Sequence, residues 1–103
     1  MGYSMHHTKA RLLFRWRFDY EDGEIVEVKA WEVPLSAVRP EGLKYSMVYI
    51  DANGRRILGY DNAEGKGHHR HMGDDEAPFK FESLEALMLQ FLDEVSRLRG
   101  RHQ

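Results

Sequence analysis

Lys9-Ala10-Arg11-Leu12-Leu13-Phe14-Arg15-Trp16-Arg17-Phe18-Asp19-Tyr20 alternates almost without a break. Ala10, Leu12, Phe14, Trp16, Phe18 and Tyr20 fall on one side. Lys9, Arg11, Arg15, Arg17 and Asp19 fall on the other, and only Leu13 is out of step. Successive side chains of an extended chain point to opposite faces, so this pattern predicts a half-buried strand. Glu21-Asp22-Gly23 follows, and the length of that turn sets the register with the next apolar run. A two-residue loop would put Phe18 opposite Glu27 and mix the faces. A three-residue loop ending in a left-handed Gly23 puts Phe18 opposite Val26, Trp16 opposite Val28 and Arg17 opposite Glu27. The longer loop keeps apolar with apolar and is the expected one.

The rest of the chain extends this hairpin. A second strand is expected from about residue 24 to 33. Beyond Ala30 its phase shifts, with Trp31 and Val33 both apolar, which predicts a bulge or a second buried face. Pro34, Pro40 and Gly42 bracket a loop, since proline cannot donate to a central ladder. A third strand spans 44–51, with Tyr45, Met47 and Tyr49 on one side and Ser46, Val48 and Ile50 on the other. Ala52-Asn53-Gly54 is a hairpin turn, and 55–61 forms the fourth strand. Short strands are expected at 68–72 and 78–82. Ser83 is placed to cap a helix with Glu85 in its first turn. Leu84, Leu87, Met88, Phe91, Leu92, Val95 and Leu98 then recur at helical spacing, and Gly100 ends the run. The expected architecture is α+β: an antiparallel meander of four to six strands with one C-terminal amphipathic helix packed on one face. Residues 1–8 are expected to be a flexible N-terminus, 9–99 a single domain and 100–103 a tail.

Composition narrows the function classes. At 103 residues one modest core can bury about 65% of the unfolded surface. The absence of cysteine removes disulfides, thiolate nucleophiles and cysteine metal sites together. No apolar run approaches the ~18 residues of a membrane span, so a cytoplasmic protein without membrane contact is expected. The net charge of −2 does not mark a nucleic-acid binder, although the basic residues cluster at both ends of the chain. Ser4, Ser36, Ser46, Ser83 and Ser96 lie outside any nucleophile-elbow pattern, and Ser83 is better explained as a helix cap.

One stretch carries chemistry in excess of structure: Tyr60-Asp61-Asn62-Ala63-Glu64-Gly65-Lys66-Gly67-His68-His69-Arg70-His71-Met72. Gly65-Lys66-Gly67 resembles a phosphate grip, but it lacks the spacing, the Ser or Thr and the following helix of a nucleotide-binding loop. A plain turn is its commoner reading. In an extended His69-Arg70-His71, the two histidines project to one face and Arg70 to the other, with Asp61 entering from the neighbouring strand. Those three groups suit a two-histidine, one-carboxylate metal site. They equally suit an acid/base pair for cleavage beside a ribose 2′-hydroxyl. Two surface histidines on an exposed strand are the bland alternative. His69-x-His71-x4-Glu76 matches part of a cupin metal motif, but position 63 is Ala63 where that motif needs glycine.

The run Tyr60-Asp61-Asn62-x-x-Gly65-Lys66-Gly67-x-His69-Arg70-His71 resembles the TumE family of toxin–antitoxin proteins. The resemblance continues through Trp31-Glu32-Val33-Pro34, Lys44-Tyr45, Phe79-x-Phe81 and the closing helix, from about Ala10 to Val95. It implies the toxin half of a two-gene module whose partner is an antitoxin with a helix-turn-helix domain. By analogy with toxins of this size it implies an endoribonuclease acting on RNA, without metal or cofactor. On that analogy His69, His71 and Asp61 are the expected catalytic residues, and Lys66, Arg70, Gly65 and Gly67 the phosphate-binding ones. Two other readings stay open. One is a non-catalytic module that binds RNA or the antitoxin through Arg11, Arg15 and Arg17, and the other is the Asp61/His69/His71 metal enzyme. Exposed strand edges also suit a homodimer.

Overall fold

The computed structural model describes residues 10–63 and 67–100. Six strands form one antiparallel sheet in sequence order: β1 (Arg11–Asp19), β2 (Ile25–Glu32), β3 (Leu43–Ile50), β4 (Arg56–Asp61), β5 (His69–Met72) and β6 (Asp75–Pro78). A single helix, α1 (Leu84–Gly100), packs on one face. This is the expected α+β meander. The proposed N-terminus at 1–8 and most of the 100–103 tail lie outside the described residues, whereas Gly100 is the last helical residue.

The first hairpin has the expected register. Phe18 faces Val26, Trp16 faces Val28 and Arg17 faces Glu27. Tyr20 and Glu24 close a three-residue loop (Tyr20 N–H to Glu24 O, 2.8 Å) in which Gly23 takes φ +92°. The irregularity expected in the second strand lies instead across from it. The register shifts between Leu12 and Phe14 on β1, opposite Trp31 and Ala30. Leu13, the residue that broke the alternation, is the extra one.

A second difference concerns β6, which precedes the expected 78–82. Gly73 at φ +59° turns the chain so that Met72 meets Asp75 and His69 meets Pro78. Pro78 is tolerated because β6 is an edge. Phe79 keeps one backbone bond, its N–H to the His68 carbonyl at 3.2 Å, and the Phe79 and Phe81 rings pack on the core. Their alternation mimics a strand, yet it serves to seat two rings.

The core lies between α1 and the inner faces of the central strands. Val26, Val28 and Ala30 from β2, Tyr45, Met47 and Tyr49 from β3, and Leu58 and Tyr60 from β4 meet Leu87, Phe91 and Val95. Ser83 caps the helix, its Oγ accepting the Ala86 N–H at 3.0 Å. At the other end Arg99 lies over the Tyr20 ring, 3.5 Å from its centroid, and donates to Asp22 and Glu24. The helix is thus fastened to the first hairpin at its C-terminus, where a cation is favourable. It covers the centre of the sheet, and of β1 it reaches Phe14 but leaves Trp16 and Phe18 outside. Trp16 remains 43% and Phe18 47% exposed, so β1 is less buried than its alternation predicts.

Candidate functional site

Strand pairing divides the Tyr60–Met72 stretch between the two faces. Tyr60 faces Arg70 on the helix side, and Asp61 faces His69 on the open side. Tyr60 is fully buried and its hydroxyl donates to Glu94 of α1 at 2.5 Å. That oxygen in turn accepts from Arg70 Nε at 3.0 Å and from Gln90 at 2.9 Å. Arg70 also donates to Glu94 at 2.5 Å. Arg70 therefore joins β5 to the helix and does not share a surface with His69 and His71.

Asn62 is almost wholly buried and holds the entrance to β3. Its side-chain carbonyl accepts the Tyr45 N–H at 3.0 Å, and its amide donates to the Leu43 carbonyl at 2.7 Å. Its own backbone carbonyl accepts from Arg39 at 3.0 Å. One side chain thus continues a ladder that the backbone has left. His68 turns inward too, stacked on Phe81 at 4.4 Å between ring centroids. Glu41 can only accept, so His68 Nε2 donates to it at 3.2 Å, leaving Nδ1 to accept from the Tyr45 hydroxyl at 2.9 Å. Burial first, and then the charges of Asp61 and Glu41, push the Tyr45 phenol well up, which keeps its proton in place for that bond.

On the open face, His71 Nε2 lies 3.0 Å from Asp61 Oδ2. The other Asp61 oxygen accepts the Ala63 N–H at 3.2 Å, which fixes the carboxylate. A carboxylate accepts and does not donate, so the Nε2 proton belongs to this bond and the Nδ1 lone pair is left to take a proton. His69 stands beside the pair with Nδ1 3.2 Å from Glu76 Oε2. The site residues expected on one face, Asp61, His69 and His71, are thus together. Among the described residues no three His, Cys, Asp or Glu side chains converge as metal ligands. Gly65 and Lys66 lie outside the described residues, and Gly67 takes φ +82° with open space around it.

Two further features of this face were not expected from the sequence. The β3–β4 register shifts between Tyr49 and Ile50, so that Ile50 pairs with Arg56 and Tyr49 with Leu58. The extra residue, Ile57, turns Arg56 onto the same face as Gly59. A Cβ on Gly59 would lie 2.9 Å from Arg56 Cδ and 3.6 Å from its Nε. The missing side chain therefore gives the arginine a bed, and Gly59 is the residue paired with His71. Bulges beside functional sites commonly re-aim a side chain in this way. The second feature is Trp31, with Lys29 and Lys44 about 6 Å above its ring (5.9 and 5.7 Å). Only the bulged β3–β4 register reveals the Arg56 grouping, whereas Lys29, Trp31 and Lys44 meet through the regular β2–β3 pairing. The glycine at position 59, in the interior of an otherwise apolar strand, was the available signal.

The family model described as Toxin TumE matches residues 17–99. Neither the curated proteins nor the solved structures contain a significant match. The family match spans well over half of the 103 residues and includes every described residue of the site, and the chain belongs to the TumE toxin family.

Proposed function

We propose that this toxin acts on RNA as a small endoribonuclease, with His71 as general base and His69 as general acid. The observation that carries the reading is the 3.0 Å His71–Asp61 pair on the uncovered face of the sheet. His71 Nδ1 takes the proton of a ribose 2′-hydroxyl, and the freed 2′-oxygen attacks the adjacent phosphorus. The bond to the 5′-oxygen breaks as His69 protonates that oxygen. The products are a 2′,3′-cyclic phosphate and a 5′-hydroxyl end. Asp61 fixes the tautomer and the ring of His71. Arg56 on its glycine bed, with Lys66 from the loop, supplies positive charge to the phosphate. Trp31 with Lys29 and Lys44 suits a base stacked beside a backbone phosphate. Arg70, assigned to phosphate by analogy, we reassign to holding β5 on the helix, since Glu94 and Tyr60 already engage it.

A toxin of this kind is paired with a cognate antitoxin, and we infer that its antitoxin carries a helix-turn-helix domain. The reading in which the β1 arginines bind RNA without catalysis has less support. Arg11 contacts Glu32 at 2.7 Å, Arg15 contacts Glu27 at 3.0 Å and Arg17 contacts Asp19 at 2.8 Å. The test is expression in a host lacking the antitoxin. Wild type arrests growth, and His71→Ala relieves the arrest while keeping the wild-type melting temperature. A fully toxic His71→Ala variant removes the catalytic assignment.

A further inference from the structure

The two edges of the sheet differ in a way that points to a partner. β6 is four residues long, carries Asp75 and Glu76 and ends in Pro78. A short, charged, proline-ended strand is protected against pairing. β1 is nine residues long, and its inner-face aromatics Trp16 and Phe18 are each nearly half exposed. Leu89 of the helix, 68% exposed, and Phe14 border an apolar groove of about 470 Å³ alongside it. An exposed edge next to an apolar band is a template for one more strand.

Hydrogen-bond phase shows which residues of β1 are available. Tyr20 bonds Glu24 across the hairpin, so the alternate residues Phe18, Trp16 and Phe14 bond inward to β2. The backbone groups of Arg15, Arg17 and Asp19 therefore point outward from the sheet. The bulge at Leu13 and the turn after Tyr20 limit the regular segment to residues 14–20, whose midpoint is Arg17.

We infer that β1 pairs antiparallel with β1 of a second copy of this chain, with the two-fold axis at Arg17. In that register Arg15 meets Asp19 of the other copy, Trp16 meets Phe18 and Phe14 meets Tyr20. Opposite charges and aromatic pairs face one another, and both contribute to strand pairing. Arg17 meets its own counterpart on the axis, but each carries Asp19 at 2.8 Å on the same strand, which offsets the like charge. Centring on Trp16 instead would set Arg15 against Arg17 twice and leave Asp19 opposite the bulge. Charge therefore selects the Arg17 register over that one, and length selects it over a register centred on Phe18, which would pair only residues 16–20 before the turn. The two sheets become one continuous sheet, and the histidine faces of both copies lie on the same side.

The chain contains no cysteine, which makes the test clean. In the proposed register the two Arg17 Cα atoms lie about 5.5 Å apart, within disulfide reach. The two Arg15 Cα atoms lie roughly 14 Å apart, outside it. Mild oxidation of Arg17→Cys is expected to give a cross-linked dimer, and Arg15→Cys is not. Light scattering of the unmodified protein at tens of micromolar should give twice the 12.1 kDa of one chain, falling to one chain in Trp16→Lys. A monomeric wild type overturns the inference. So does equal cross-linking of both cysteine variants. A monomeric toxin that loses antitoxin binding in Trp16→Lys would give the edge to the antitoxin, which also overturns it.

Discussion

Replacing Arg70 with methionine separates support from chemistry within the histidine strand. Arg70 donates to Glu94 at 2.5 Å and to the Tyr60 hydroxyl at 3.0 Å. Methionine keeps most of the aliphatic stem and removes both bonds, leaving the Glu94 carboxylate with the Tyr60 proton alone. Breaking a buried ion pair by removing one partner costs ~3–5 kcal/mol, whereas an exposed pair contributes less than ~1 kcal/mol. The Arg70 and Glu94 side chains retain 33% and 24% of their exposure, which places this pair between those limits. The expected loss is about 2 kcal/mol. For a domain of this size that lowers Tm by roughly 8–16 °C. Thermal melts by circular dichroism read this directly, and Arg70→Met/Glu94→Gln should recover part of the loss because no charge is left unpaired. Growth arrest should persist at temperatures where the variant is folded. If Arg70→Met melts with the wild type yet is not toxic, Arg70 works at the phosphate and the reassignment is wrong.

Other consequences are equally direct. Asn62→Ala leaves the Leu43 carbonyl and the Tyr45 N–H without their partners, and should cost about 2–3 kcal/mol in a urea titration. A loss below half of that would mean that water replaces the amide. Gly59→Ala faces no backbone strain and meets chiefly the Arg56 stem. It should change stability by less than ~1 kcal/mol while reducing RNA cleavage about tenfold or more, and unchanged cleavage removes Arg56 from the site. Burial, aided by Glu24, pushes the Tyr49 phenol up to about 12, and Tyr45 and Tyr60 shift in the same direction. Their folded-state values lie above the unfolded one near 10, so the folded state holds these protons longer. Their contribution is complete below pH 10 and is lost as pH rises further; for Tyr49 it falls by about 1.4 kcal/mol per pH unit between pH 10 and 12. Tyrosinate absorbance of these three should rise together with unfolding, and independent titration of the folded protein near pH 10 would contradict their burial.

The sequence carried the fold further than the site. Alternation in residues 9–20 and the three-residue turn set the first register, because slipping by one residue would have turned every aromatic to the wrong face. Local pattern could not show that the helix stops short of Trp16 and Phe18, since their burial depends on where another element lands. Phe79-x-Phe81 read as a strand because two rings seated in a core produce the same period as a pleat. In the central stretch, strand phase separated Arg70 from the histidines, and Asp61 entered as expected. What held Arg70 was invisible, because Glu94 lies on a helix 24 residues away in sequence. Arg56 was missed for a related reason. Its face depends on the extra residue at Ile57, and that bulge, unlike the one Leu13 marked by breaking the alternation, left only a glycine nearby as a sign.

RNA cleavage by proton transfer at the proposed His71–Asp61 pair leaves a chemical signature on the product ends. Purified toxin should be incubated with a single-stranded RNA in excess chelator, and the ends of the products analysed. The products should carry 2′,3′-cyclic phosphate and 5′-hydroxyl ends, with the rate reduced about 10²–10⁴-fold in His71→Ala and a folded protein in both cases. Intact RNA with folded wild-type toxin, or equal cleavage by His71→Ala, would contradict proton transfer at that pair.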